Sequence, residues 1–345
     1  MQCTCEHVQT ALNESNVFGY LRDLGLLAPG ERATLEPAGD GNINWVRRVR
    51  GAGSRCWIVK QARPALERFP EYRVTTGRIV CEARYYETTA PFDAEAVRPE
   101  VLHFDAAQRV LVLEDLGDAQ RLDAALLRGA DVAPQLARLA HFLAAVHAGT
   151  RDPALAERFP NAEMQRLHGD HIFVLPYRPN QFPLSDALAT RAREVRRDAE
   201  LVQRIDAAYA RYLEPRGALV HADVQAGNVL LAQRGAVLLD AEIAHVGDPA
   251  FDVGILLAHL WLPAIARGEP RVGDTLARRT WRAYAGASRG DGQPRYRDVA
   301  RYAGIELLRR TLGAARAPAV ERDEAGLAVL DAALALVRNP PEWPR

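Results

Sequence analysis

The chain has 345 residues, 48% of them hydrophobic and 26% charged, which is ordinary globular composition with enough length for two compact units. Basic and acidic residues balance at 44 each, so no global field favours nucleic acid or an anionic membrane, and an anionic ligand has to be held by local groups. No apolar run of about 18 residues is present, and Met1–His7 lacks a basic stretch leading into an apolar one, so the expectation is a cytoplasmic protein with no membrane partner.

Four cysteines (Cys3, Cys5, Cys56, Cys81) are too few and too N-terminal for a disulfide framework, and Cys3-x-Cys5-x-His7 lacks a structural zinc spacing. Residues 8–28 read as an amphipathic helix, with Val8, Leu12, Val17, Leu21 and Leu24 apolar. A turn-rich stretch, Gly39-Asp40-Gly41-Asn42, leads into a strand from Ile43 to Val49, a hairpin at Gly51–Ser54 and a strand from Cys56 to Lys60. Residues 76–89 predict a helix carrying Glu82 and Glu87, followed by strands at 101–104 and 110–114. Lys60 thus ends the third strand of a sheet whose first turn, after Leu35-Glu36-Pro37, is the glycine-rich one, and the whole reads as an antiparallel five-stranded sheet with one main helix. The boundary of this first lobe, 1–116, falls after Asp115-Leu116, and a mostly helical lobe, 117–345, follows. That lobe reads as a helix at 131–148, a loop with Pro160, Pro176, Pro179 and Pro183 over 159–185, and a charged helix at 186–214. Short strands at 229–232 and 236–240 come next. Helices then run from about 251 to 338, broken near Gly268, Gly286–Pro294 and Pro318.

One compositional fact is sharp. Of the 44 basic residues 43 are arginine, and the single lysine is Lys60, at the end of a predicted strand. Lysine is a compact point charge and arginine a planar fork, so the two are not interchangeable at a phosphate.

The strongest chemical signal is Val220-His221-Ala222-Asp223-Val224-Gln225-Ala226-Gly227-Asn228-Val229, an H-x-D-x-x-x-x-N loop bracketed by apolar runs. A second apolar strand then delivers Asp240. Phosphoryl transfer needs this layout: Asp223 orients the attacking hydroxyl and takes its proton, while Asn228 and Asp240 hold Mg²⁺ on the triphosphate. Magnesium takes hard oxygens, one or two of them from carboxylates, so Glu242 is a further candidate ligand. The alternative for this loop is a plain β-hairpin in which Asp223 and Asn228 only make turn hydrogen bonds. A second H-G-D triplet, His168-Gly169-Asp170, has Leu175 where the asparagine would stand and reads as loop.

The catalytic loop, together with Asp240-Ala241-Glu242 and Gly247-Asp248-Pro249-Ala250-Phe251-Asp252, resembles the aminoglycoside phosphotransferase / choline kinase superfamily. Ala222 stands where that pattern has glycine. Within it, three segments are similar to the 5-methylthioribose kinase family: Gly39-Asp40-Gly41-Asn42-Ile43-Asn44, Ile58-Val59-Lys60-Gln61-Ala62, and Glu306-Leu307-Leu308-Arg309-Arg310-Thr311-Leu312-Gly313-Ala314-Ala315. That family reads H-G-D-L-H-[TS]-G-S where this chain has His221–Asn228.

The resemblance implies an α+β, two-lobed, protein-kinase-like fold, ATP and Mg²⁺ as cofactors, a small-molecule acceptor and a homodimer. It implies that Gly39, Asp40, Gly41, Asn42 and Asn44 cover the phosphates and that Lys60 pairs them, fixed by Glu82. Glu114 lies in a segment, Val112–Leu116, that resembles the adenine hinge. Arg309 and Arg310 reach the sugar or the transferred phosphate, and His221 and Asp252 brace the catalytic loop. The expected acceptor is a 5-methylthioribose-like sugar. The alternatives are an aminoglycoside or other amino alcohol, and a catalytically inactive nucleotide-binding scaffold. A polycationic acceptor would want an acidic cleft; the C-terminal helices carry Glu306, Glu321, Asp323, Glu324 and Asp331 but also the Arg309-Arg310 pair, a mixture that favours an uncharged or anionic acceptor.

Overall fold

Strand-like runs in the first 115 residues pair into one antiparallel sheet. In the computed structural model, which describes residues 9–39, 43–65, 73–215, 217–288 and 292–344, this sheet has five strands. They are β1 (Thr34–Pro37), β2 (Asn44–Arg50), β3 (Cys56–Ala62), β4 (Val101–Asp105) and β5 (Val110–Glu114), in the order β1-β2-β3-β5-β4. Side chains alternate across a strand, so Trp45 and Val49, Trp57 and Val59, and Val110 and Val112 share one face. They form a core there with Leu12, Val17, Leu21 and Leu27. The same period puts Lys60 on the opposite face, paired in register with Val46 and Leu111. The β2–β3 turn closes through Gly51 N–H to Arg55 O (2.9 Å), with Gly53 at φ +68°, a conformation that costs glycine little.

The predicted helix over 8–28 is much shorter than expected: α1 spans Val17–Asp23. Residues before it are diverted by local side-chain bonds. Asn13 Oδ1 accepts from Ser15 N (2.8 Å), Asn16 Oδ1 accepts from Asn13 N (2.8 Å), and Leu12 N donates to Gln61 Oε1 (2.8 Å). Asn and Ser side chains compete in this way with helical hydrogen bonding.

The chain divides into two compact units, Met1–Glu87 with Pro99–Gly117, and Thr88–Arg98 with Asp118–Arg345. The helix α2 (Arg78–Thr89) lies almost wholly in the first. The second unit holds small sheets. One is made of β6 (Gln120–Arg121), β8 (Val229–Ala232) and β9 (Gly235–Leu238), and the other pairs β7 (Ala218–Val220) with β10 (His245–Gly247). Its longer helices are α4 (Ala133–Gly149), α7 (Asp186–Arg197), α8 (Ala199–Leu213), α9 (Pro249–Ala266), α10 (Pro270–Ala287), α11 (Tyr296–Leu312) and α12 (Asp323–Arg338). Shorter ones are α3 (Leu122–Leu127), α5 (Leu155–Arg158) and α6 (Ala162–Gly169).

Two expectations are corrected here. The charged helix over 186–214 is two helices, because Asp198 turns out of helical geometry and caps α8 by accepting from Leu201 N (2.9 Å). Aspartate is a strong N-cap and a weak helix-interior residue. The 159–185 loop is largely helical: α6 is followed by a π-turn at Asp170–Val174 and a 3₁₀ turn at Leu175–Tyr177. The prolines leave 162–174 uninterrupted. Phe173 stacks on Tyr209 at 5.1 Å within a cluster of Tyr212, Phe251 and Tyr302, so aromatic packing anchors the segment.

α9 is long and apolar enough to cross a membrane by composition, but 89% of that window is buried, which makes it the core helix of the second unit. Asp248 caps it, accepting from Ala250 N (3.0 Å), and Pro249 takes the first helical position. Gly254 lets α11 close on it, since a Cβ there would sit 2.7 Å from the Tyr302 Cβ.

Candidate active site

The His221–Asn228 loop leaves β7 and enters β8, and Asp252 on the first turn of α9 sets its start. Asp252 accepts from His221 N and Ala222 N, both at 2.8 Å, and from His147 Nε2 at 3.1 Å. The other His147 nitrogen pairs with the Tyr284 hydroxyl (2.9 Å), which fixes the ring. Burial alone would raise the Asp252 carboxyl, yet His147 and His221 hold it below its usual range. Ala222 sits at φ +67°, a left-handed conformation that costs a non-glycine residue about 1–2 kcal/mol and is held here by Asp252. His221 is fully buried, and burial lowers its imidazole pKa.

Asp223 is oriented by amides. Its Oδ2 accepts from Asn228 Nδ2 (2.7 Å) and from Gln225 Nε2 (2.9 Å), and Asn228 Nδ2 also reaches the Asp223 carbonyl (3.0 Å). Its Oδ1 is buried and faces His168 Nε2 at 3.8 Å. Burial pushes the His168 imidazole down to about 3, so a neutral ring lies against the carboxylate. The H-G-D triplet read as loop therefore ends α6 and brings its histidine to Asp223, with Phe251 edge-on to the ring at 6.3 Å.

The β8–β9 register brings the metal candidates together. Val229 pairs with Leu238, and Leu239 N donates to Asn228 O (2.8 Å), so Asp240 is one residue from the position opposite Asn228. Asp240 sits at φ +63°, outside the strand that was expected to carry it. Asn161 Nδ2 pins the following turn by donating to Glu242 O (2.8 Å) and Ala244 O (3.1 Å), and Glu242 is buried. Asn228 uses its nitrogen on Asp223, which directs its hard amide oxygen elsewhere. Among the described residues no cluster of three or more His, Cys, Asp or Glu side chains is gathered for a metal. The donor set fits magnesium, which takes one or two carboxylates and completes its shell with phosphate and water.

Arg309 and Arg310 are organised by Glu306, one turn earlier on α11. Arg309 Nη1 contacts both Glu306 oxygens (3.2 and 3.1 Å), Arg310 Nε contacts Oε1 (2.7 Å), and His259 Nε2 contacts Oε1 (3.3 Å). Glu306 has no exposed surface; burial works to raise its carboxyl, but Arg309 and Arg310 keep it well below its usual range. Its charge is spent internally, on the arginine pair and His259. Arg310 Nη2 reaches on to Gln225 Oε1 (2.5 Å).

In the first unit, Lys60 Nζ lies 2.7 Å from Glu82 Oε2, both side chains buried, and Tyr86 OH donates to Glu82 Oε1 (3.2 Å). Asn44 is buried with its oxygen on Arg78 (Nε 3.1 Å, Nη2 2.7 Å), so this side chain ties β2 to α2. Glu114 Oε1 accepts from Glu100 N (2.7 Å). Gly39 takes φ +73°, and Asp40, Gly41 and Asn42 lie outside the described residues. The motifs of the sequence do not single out Gln225, Asn161 or the bracing role of Glu306. For Glu306 the signal was present, since i, i+3 and i, i+4 spacing puts it on the face of both arginines.

A sheet unit with a buried Lys–Glu pair and a helical unit with an Asp–Asn loop define a kinase-type phosphotransferase. The family model described as "Phosphotransferase enzyme family" matches residues 34–299, and the chain belongs to that family. It is 30% identical over 337 residues to a methylthioribose kinase of Yersinia enterocolitica, covering 86% of this chain and 84% of the relative. It is 29% identical over 368 residues to that of Pectobacterium carotovorum, covering 93% and 91%. The crystal structure of choline kinase LicA from Streptococcus pneumoniae shares the fold, with a TM-score of 0.54 at 15% identity over 94% of this chain and 98% of that one.

Proposed function

We propose that this chain transfers the γ-phosphoryl group of ATP to a hydroxyl of methylthioribose or a closely related 5-deoxy sugar. The observation that carries the reading is the Asp223 carboxylate, held by the Asn228 and Gln225 amides in a loop braced by Asp252. Relatives spanning most of the chain supply the acceptor class.

In this reading Asp223 orients the acceptor hydroxyl and takes its proton. Lys60, paired with Glu82, holds the ATP phosphates in this reading, and the Gly39–Asn44 segment is the part the resemblance assigns to covering them. Asn228 and Asp240, with Glu242 beside them, would hold Mg²⁺, which neutralises charge on the phosphates when bound. Arg310 is tied to Asp223 through Gln225, with Arg309 held beside it by Glu306, a place suited to an uncharged or anionic acceptor rather than a polycationic aminoglycoside. ATP as donor implies the cytoplasm as the compartment, and light scattering would test the homodimer implied by the resemblance.

The test is a coupled ADP-release assay with Mg²⁺ and ATP over 5-methylthioribose, ribose, 5-deoxyribose, choline, homoserine and kanamycin, with Asp223→Ala as blank. Turnover on methylthioribose is expected. Turnover on kanamycin or choline alone would replace the acceptor, and ATP binding without turnover on any of them would favour a nucleotide-binding scaffold.

A further inference from the structure

Gln225 stands where the resembled kinase loop carries histidine, and the structure shows it bridging two charged groups. Its carbonyl oxygen accepts from Arg310 Nη2 (2.5 Å), and its amide nitrogen donates to Asp223 Oδ2 (2.9 Å). Chemistry settles the orientation of this amide: a guanidinium has only donors and a carboxylate only acceptors, so no flipped arrangement satisfies both ends. Arg310 is itself held by Glu306 (2.7 Å), which has no exposed surface. An unbroken chain of hydrogen bonds thus runs from the buried Glu306, through Arg310 and Gln225, to Asp223. The other Asp223 oxygen, Oδ1, is buried, faces His168 at 3.8 Å and makes no hydrogen bond among the described residues, so the two amides on Oδ2 are what orient the carboxylate.

We propose that Gln225 is a positioning residue for the transfer step: it couples the Arg310 cation to Oδ2 of Asp223 and fixes the plane of that carboxylate. An amide can serve because it polarises along its length, accepting at one end from a cation while donating at the other to an anion. Asn228 holds the same oxygen, so the carboxylate rests between two amides, of which only Gln225 is tied to the arginine pair. The proposal rests on the phosphotransferase reading above for its kinetic consequence, but its geometric content does not depend on which alcohol is the acceptor.

Gln225→Met keeps the length of the side chain and removes both polar ends. It is expected to lower kcat about tenfold, the order of one charge-assisted hydrogen bond, with KM for ATP within about twofold of wild type. Gln225→Glu keeps the Arg310 contact but loses the donor to Asp223 and sets a second anion beside it, and is expected to lower kcat further. In a double-mutant cycle, Gln225→Met/Arg310→Met should fall short of the product of the single effects, because the two side chains act as one unit. Wild-type kcat in Gln225→Met, or strictly multiplicative effects in the cycle, would overturn the proposal. Absence of alcohol phosphorylation by the wild type would count against the proposed function instead. In that case crystal structures of wild type and Gln225→Met decide: a rotated Asp223 carboxylate in the variant supports the coupling, and an unchanged one overturns it.

Discussion

Two buried glutamates hold cations in this molecule, and they do so differently. Glu82, in the first unit, pairs with a point charge, Lys60 at 2.7 Å, and accepts from the Tyr86 hydroxyl. Glu306, in the second, is surrounded by two guanidinium forks and an imidazole and has no exposed surface. A lysine is a compact point charge on a flexible stem, whereas a carboxylate enclosed by Arg309, Arg310 and His259 is a fixed part of the core whose value lies in where it places the arginines. If Lys60 pairs the nucleotide phosphates as proposed, substitution of the two glutamates should separate an effect on ATP use from an effect on the core alone.

The largest effect should come from the residue that neither glutamate touches. Asp223→Asn should lower kcat about 10³-fold with ATP binding retained, the size expected for loss of general-base and orienting function; binding by calorimetry with near-normal turnover would contradict it. Next is Glu306→Gln, which leaves two guanidinium groups short of their counter-charge. Denaturant unfolding at pH 7 should show a loss of about 3 kcal/mol, typical of a broken buried ion-pair network.

This second effect has a pH signature. The Glu306 carboxyl is held below its ordinary value of 4.5 in the folded state, so the unfolded chain binds more protons than the folded one near that pH. Its stabilisation is complete above about pH 4.5 and is lost as pH falls further. The gap in stability between wild type and Glu306→Gln should then be widest near neutrality and narrow below that value. A gap independent of pH would show that the carboxylate charge is not what holds the arginines.

Glu82→Gln also breaks a buried pair, so it should cost stability on the same order, about 3 kcal/mol, but it should add a several-fold to about tenfold fall in kcat/KM for ATP, because Lys60 is less well placed. An unchanged kcat/KM for ATP in this variant would end the contrast between the two anchors. The smallest expected effect is at Ala222. Glycine relieves the left-handed strain at φ +67°, so Ala222→Gly should be more stable by about 1 kcal/mol in thermal unfolding, with kcat unchanged within about twofold.

Much of this organisation is readable in sequence where a local rule governs it. The five strands follow from alternation and turn residues, the Lys60 and Glu82 candidates from strand and helix positions, and Asp223, Asn228 and Asp240 from a spaced loop. What escaped depends on contacts between distant segments. Gln225 is an unremarkable loop residue until Arg310, 85 positions away, donates to it. His168 reads as a loop histidine until Phe173 and its aromatic neighbours fold the 162–177 segment into turns beside Asp223. Asn13, Asn16 and Asp198 defeated the helix boundaries because a single side-chain oxygen can take a backbone N–H that periodicity assigns to the helix.

The most direct test of the central claim is ³¹P NMR of the product formed from ATP, Mg²⁺ and 5-methylthioribose by wild type and by Asp223→Asn. A new sugar phosphate ester should appear in step with ADP in the wild type and be lacking in the variant over the same time. ADP with inorganic phosphate and no ester in the wild type, or equal ester from the variant, would contradict it.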